Sequence, residues 1–316
     1  MAPSTPAPMY RIQQIPSKGR GLIASRNITR GERIFSESPF FIFPNIEETT
    51  PTIQVFGPKV QALDTEQRGL FEGLYNNFRY YGVPASIGII KTNALRVDHE
   101  TDAVFPTFSI INHSCLPNAS YSWNGNIMKG TLHAIRKILA GDEITIAYGD
   151  HGRGSEGQFS CLCPLCTKSD GAELAMSDTR RKEMLELEDE IWQWGRPRRN
   201  PEEFLRLCYN LECRLREEYD NAPTPAVAEV YEFAAGIAAR HSDAGRVIAF
   251  MKWAYAVRCI CEGEDNPNTQ KCALRMEDAR AHPKWGRTQW WGAQLERPPT
   301  YLPIEEYVNW VWRWGR

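Results

Sequence analysis

Three cysteines in SCLCPLC, Cys161, Cys163 and Cys166, stand at a Cys-x-Cys-x-x-Cys spacing. Zinc takes four ligands in a tetrahedron, and three thiolates this close can wrap one ion within a short turn. Three thiolates plus water would leave an open, catalytic position, whereas a fourth, distant cysteine would close the site. Cys115 is the best fourth ligand, because INHSCLPNASY is the other polar, turn-like cysteine context. In that stretch Asn112, His113 and Cys115 can be a metal site, a nucleophile with its base, or a polar turn closing a core. Cys115 as a nucleophile with His113 as base is the weaker alternative. Their side chains are expected to diverge, and no orienting acid is evident. A free Cys115 would make the chain a cysteine-dependent hydrolase.

The elements that must hold these residues can be read from local patterns. YRIQQIP, GLIASR and RIFSES are short, β-branched runs separated by SKGRG and TRGE, which predicts strands joined by glycine turns. ALDTEQRGLFEGLYNNF and PASIGIIKTNALRV have apolar residues at helical spacing, with Asp64 as an N-cap. Strand patterning returns in NASYSWNGNIMKGTLHAI, which carries the Asn124-Gly125 hairpin signal, and in DEITIAY. Beyond residue 170 successive apolar stripes with charged flanks, such as EEFLRLCYNLECRLREEY and AVAEVYEFAAGIAARH, predict helices without a repeat of fixed period.

Bulk composition excludes several classes. The chain has 316 residues, 42% hydrophobic and 24% charged, as expected of a globular protein with real cores. Its net charge of −2 argues against a dedicated nucleic-acid binder. No apolar run reaches the length of a membrane span. The start, MAPSTPAPMY, reads as a disordered tail rather than a secretory signal. Nine cysteines without such a signal favour a reducing compartment. Cys208, Cys213, Cys259, Cys261 and Cys272 then read as small core hydrophobes in helices. Six of the ten tryptophans lie from Trp285 onward, and they are expected to glue a terminal helix to its neighbours.

Four motifs taken in order, KGRGLIAS (18–25), NHSC (112–115), GDEITIAY (141–148) and FSCLCPLC (159–166), resemble the SET-domain lysine methyltransferases. The nearest subgroup is SMYD-like but lacks the MYND finger, since residues 40 to 100 contain no cysteine. The resemblance implies an α+β protein. It has a β-rich SET fold with a pseudoknot, a zinc-binding post-SET segment and an all-helical C-terminal domain. The boundaries it implies are a disordered tail at 1–9, a SET domain at 10–150 with a helical insert at 51–104, the post-SET segment at 151–170 and the helical domain at 171–316.

The resemblance also implies roles for matching residues. Lys18, Gly19, Arg20 and Gly21 form the first S-adenosylmethionine loop, in which the glycines let backbone approach the cofactor and Lys18 meets its carboxylate. Asn93, Ser109, Asn112 and His113 match further cofactor-binding positions, and Phe159 matches the aromatic that stacks on adenine. Tyr148 matches the catalytic tyrosine. Cys115, Cys161, Cys163 and Cys166 hold a structural Zn2+ that positions Phe159. Gly157 stands where the subgroup has a second channel tyrosine, so either Tyr121 or an aromatic of the C-terminal domain completes the lysine channel, or the channel is wide. The implied activity is S-adenosylmethionine-dependent methyl transfer to a protein lysine, on a histone tail or another protein. The alternative is a catalytically weak SET-fold module that binds proteins through its C-terminal domain. No direct nucleic-acid or membrane partner is expected, and the protein is expected to be an intracellular monomer of the cytoplasm, the nucleus or both.

Overall fold

The computed structural model describes residues 8–45, 52–149, 160–168, 171–193, 200–288, 291 and 295–314. Most of the expected tail, together with Gly157 and Phe159, lies outside the described residues. The chain divides into two units, and the division falls inside the cysteine segment, between Cys163 and Pro164.

The first unit is built from strands β1 (Tyr10–Ile15), β2 (Gly19–Ala24), β3 (Arg33–Glu37), β4 (Phe41–Pro44), β5 (Leu95–Arg96) and β6 (Thr101–Val104), and continues with β7 (Asn112–His113), β8 (Ala119–Asn124), β9 (Lys129–Ala134) and β10 (Glu143–Ile146). Helices α1 (Thr52–Gln61), α2 (Thr65–Glu72) and α3 (Ala85–Asn93) interrupt this series. Three small sheets result, ordered β1-β2-β10-β7, β3-β9-β8 and β4-β6-β5. The first sheet carries the NHSC and EITIAY segments side by side. In it β10 runs antiparallel to β2, with Ile144 opposite Leu22, and parallel to β7, with Thr145 opposite Asn112.

Local chemistry explains the turns. Between β1 and β2 the Lys18 N–H donates to the Ile15 carbonyl at 3.1 Å, closing a turn with Pro16 at its second position. Ser17 and Gly19 take positive φ, 63° and 76°. At α2 the Asp64 side chain accepts from the Gln67 N–H while the Gln67 side chain returns to the Asp64 N–H, a complete capping box.

One core gathers Leu22, Ile28, Phe105, Phe108, Ile111, Leu132 and Ile144 between the sheets. A second packs Phe43, Phe56, Phe71, Ile87, Ile90 and Val104 under the helices. Fully burying one such side chain is worth roughly 1.5–3 kcal/mol, so each cluster fixes the sheet it underlies.

Two local expectations are corrected. The segment expected to be helical to residue 104 leaves the helix after Asn93, and β5 and β6 form a hairpin on β4. Its turn is set by Asp98, whose carboxylate accepts from the Glu100 and Thr101 N–H groups. Pairing with a strand more than fifty residues earlier outweighs local helical spacing there. The hairpin at Asn124-Gly125 exists, but its register of Asn124 opposite Lys129 leaves a four-residue loop. Asn124 is fully buried and its side chain accepts from the Asn126 N–H, so Met128 rather than Gly125 takes the positive φ.

The second unit is helical among its described residues: α4 (Gly171–Gln193), α5 (Pro201–Glu218), α6 (Pro225–Arg240), α7 (Ala244–Cys261), α8 (Pro267–Glu277) and α9 (Ile304–Trp312). Asn200, Asp243 and Asn266 cap α5, α7 and α8 through their side chains. Trp312, at the end of α9, is buried against Tyr209, Tyr231, Phe250 and Trp253, which is the gluing role expected of the terminal tryptophans. Cys208, Cys261 and Cys272 are fully buried core residues.

Candidate functional site

The site is assembled at one end of the first sheet. Because β10 lies between β2 and β7, Lys18, Asn112 and Glu143 meet there although they are far apart in sequence. Lys18 Nζ donates to Glu143 Oε2 at 2.8 Å, and Asn112 Nδ2 donates to Glu143 Oε1, also at 2.8 Å. Asn112 Nδ2 also reaches the Arg20 carbonyl at 3.2 Å. Gly21 is required by this crowding, since a Cβ there would sit 2.7 Å from Asn112 Nδ2 and 2.8 Å from Ile15 Cγ1. Arg20 turns the other way and donates to the Gly73 carbonyl at 2.6 Å, just past α2. Two residues on, the Tyr75 carbonyl accepts from Asn93 Nδ2 at 2.8 Å. The same Asn93 amide also donates to Ile89 at 2.7 Å, and its side chain is buried. Ser109 Oγ is buried and lacks a hydrogen-bond partner among the described residues.

Glu143 went unassigned in the sequence, although the GDEI motif displayed it. Here it neutralises Lys18 and orients Asn112, so the loop lysine is engaged by this chain's own carboxylate. Asn118 supports the same strand, with Nδ2 donating to the Glu143 carbonyl and Oδ1 accepting from the Thr145 N–H.

Tyr148 follows β10 by two residues. Its N–H donates to His113 Nδ1 at 3.0 Å and its hydroxyl donates to the Ile111 carbonyl at 2.5 Å. Desolvation raises the phenol above its ordinary pKa, and the charge of Glu143 adds to the rise. Tyr148 is therefore a neutral hydroxyl at physiological pH, with its proton committed to a carbonyl. Tyr121 is instead held in the core against Phe105 and Phe108, its hydroxyl donating to the Arg96 carbonyl.

The four cysteines predicted to converge do so. The Sγ atoms of Cys115, Cys161, Cys163 and Cys166 all lie within 4.8 Å of one another, with Cys115 and Cys163 buried. Cys115 and Cys161 sulfurs are 3.8 Å apart, too far for a disulfide and equal to the edge of a tetrahedron with zinc–sulfur bonds of about 2.3 Å. Four thiols in this arrangement can hold one tetrahedral metal ion.

His113 lies between the two features. Since Nδ1 accepts from Tyr148, the ring proton is on Nε2, which points at Cys115 Sγ 3.4 Å away. The expected divergence of His113 and Cys115 is thus wrong: residues two apart in an extended segment share a face. The contact still gives no nucleophile pair, because a protonated Nε2 is a donor and the sulfur belongs to the cysteine cluster. No helix among the described residues is long and apolar enough to cross a membrane.

Comparisons with known proteins agree with this geometry. A family model described as "SET domain" matches residues 19–149. The histone-lysine N-methyltransferase set5 of Schizosaccharomyces pombe is 28% identical over 283 residues, covering 87% of this chain and 85% of that protein. Mouse histone-lysine N-methyltransferase SMYD3 is 33% identical over 122 residues, covering 33% of this chain and 26% of its own length. Xenopus laevis N-lysine methyltransferase SMYD2-A is 22% identical over 240 residues, 64% of this chain and 55% of that protein. Residues 19–149 of the chain thus match the SET domain, and the chain is similar to set5 and to SMYD lysine methyltransferases.

Proposed function

We propose that this chain transfers a methyl group from S-adenosylmethionine to the side chain of a protein lysine, on a histone tail or another protein. The observation that carries this is Tyr148: a neutral hydroxyl fixed by Ile111 and His113, the two residues flanking Asn112, which itself donates to the Arg20 carbonyl. The cofactor, when bound, supplies a methyl carbon on a cationic sulfur. Lys18, Gly19, Arg20, Gly21, Asn93, Ser109, Asn112 and His113 would hold it, and Phe159 would cover its adenine. The fit is supported by the buried Ser109 Oγ, unpartnered among the described residues, and by the polar edge that Asn112 and Glu143 offer beside Gly21.

A lysine amine must be neutral to attack, and its ordinary pKa is about 10.4. Tyr148, staying protonated, is not its base. Its oxygen instead accepts from the incoming amine and from methyl C–H groups, which aligns nitrogen and carbon for in-line transfer. Cys115, Cys161, Cys163 and Cys166 would bind one structural Zn2+, with His113 donating to the Cys115 thiolate. The same proposal takes residues 10–150 as the SET domain, 151–170 as the post-SET segment and 171–316 as the helical domain of a monomer.

The test is tritiated-methyl transfer to histone and other lysine substrates, beside Tyr148→Phe. The variant is expected to lose about 10²-fold in kcat while keeping its affinity for S-adenosylhomocysteine. Unchanged turnover in the variant, or no affinity of the parent for S-adenosylhomocysteine by calorimetry, would sink the proposal.

A further inference from the structure

The one-turn helix Phe108–Ile110 leads into the site. Ser109 lies within it, and the next residue, Ile111, supplies the carbonyl that takes the Tyr148 hydroxyl proton at 2.5 Å. The turn closes on itself through the Ile110 N–H to the Thr107 carbonyl at 3.0 Å and the Ile111 N–H to the Phe108 carbonyl at 3.1 Å. A single turn is too short to be stable by its own bonds, so its neighbours must fix it. The neighbour is β3. Glu37, the last residue of that strand, accepts through one oxygen, Oε1, from both the Thr107 and the Phe108 N–H, each at 2.8 Å. Amides at the start of a helix have no partner within the helix itself. The Phe35 ring of β3 lies 4.7 Å from the Phe108 ring. Gly130 of β9 pairs with Glu37 in register, and a Cβ on it would sit 2.8 Å from Phe108 Cε2 and 3.0 Å from Phe105 Cε1. The β3–β9 pair therefore grips the backbone of the turn with a carboxyl group and leaves room for its ring with a glycine.

Glu37 is half-buried, and burial raises its carboxyl above the ordinary range against the pull of Thr107 and the two amides. A partly desolvated carboxyl is a costly means of closing an ordinary turn. Here the turn ends on the carbonyl that orients the phenol, so a small displacement of Thr107 and Phe108 is passed to Tyr148 through Ile111. We propose that Glu37 is a positioning residue for Tyr148: by seating the Phe108–Ile110 turn on β3, it sets the Ile111 carbonyl and with it the direction of the Tyr148 hydroxyl. Its effect on turnover rests on the methyl-transfer proposal, whereas the mechanical link from Glu37 to Tyr148 does not.

Two variants of the full chain separate reach from charge. Glu37→Asp keeps the charge but ends one methylene short of the amides, whereas Glu37→Gln keeps an oxygen within reach and loses the charge. The readout is the NMR resonance of Tyr148 Cζ, the ring carbon bearing the hydroxyl, identified by its loss in Tyr148→Phe. It is expected to shift in Glu37→Asp and to stay in place in Glu37→Gln. The resonance of Tyr231, whose hydroxyl donates to Glu212 in the helical unit, should move in neither. Turnover should follow, with kcat about tenfold lower in Glu37→Asp and within about twofold of the parent in Glu37→Gln. The proposal is overturned if Tyr148 keeps its resonance in Glu37→Asp, if Glu37→Gln moves it as far, if Tyr231 moves with it, or if an active parent loses no turnover in Glu37→Asp. A parent that transfers no methyl group defeats the methyl-transfer reading instead, and the Tyr148 resonance still decides the link to Glu37.

Discussion

The sheet end of the first unit and the α4–α5 pairing in the second both hold polar groups out of water, but they leave them in different states. Between α4 and α5 the fully buried Glu218 is saturated: it accepts from Ser177, Arg180 and Arg181, each within 2.8 Å. Such a network needs nothing further and acts as a staple. At the sheet end Ser109 Oγ lacks a hydrogen-bond partner among the described residues. Buried polar groups are normally matched, so an unmatched one marks a place where a ligand can complete the structure.

That contrast can be tested by experiment. The largest effect is expected at the brace: Glu218→Gln leaves two arginines facing a neutral partner and should destabilise the chain by about 3–5 kcal/mol in denaturant titrations. Replacing Glu218, Arg180 and Arg181 together by Leu and two Met should recover most of it, and failure to recover would mean the network does more than brace. Next comes Cys163→Ser, expected to abolish a one-to-one zinc content by atomic absorption. It should also lower stability by about 2.7 kcal/mol at free zinc a hundredfold above Kd. Equal zinc in parent and variant would remove the metal from the account. The smallest effect is the most diagnostic. Ser109→Ala removes an unsatisfied hydroxyl, so stability should be unchanged or rise by up to about 1 kcal/mol, while affinity for S-adenosylhomocysteine falls. A marked loss of stability would show that Ser109 is matched after all and the contrast false.

Much of this site was legible in the residues. Cys115 was paired with the later cysteines from spacing and context alone, and the Asp64 cap followed from an Asp at the head of a run with helical spacing. What stayed hidden depends on partners distant in sequence. That Glu143 would engage Lys18 needs β10 to lie against β2, which no local pattern states. Asn93 looks like any polar residue at a helix end until Tyr75 and Ile89 take both its amide protons. His113 was misjudged for a simpler reason, the direction of alternate side chains. Gly21 was expected to be glycine for the sake of a ligand, and it is needed first because Asn112 and Ile15 leave no room for a side chain.

The pairing of β2 with β10 also governs how the chain must be born. Ile144 lies opposite Leu22, 122 residues later in synthesis (144 − 22). At 5–20 residues per second the ribosome needs roughly 6–24 s to cover that distance. The β1–β2 hairpin can close as soon as it emerges, but the other edge of β2 stays bare throughout, with unpaired backbone groups and the side chains of Leu22 and Ile23 uncovered. The methyl-transfer centre proposed here would therefore exist only near the end of translation of the first unit, and the nascent chain is most exposed to sticking along β2 until β10 arrives.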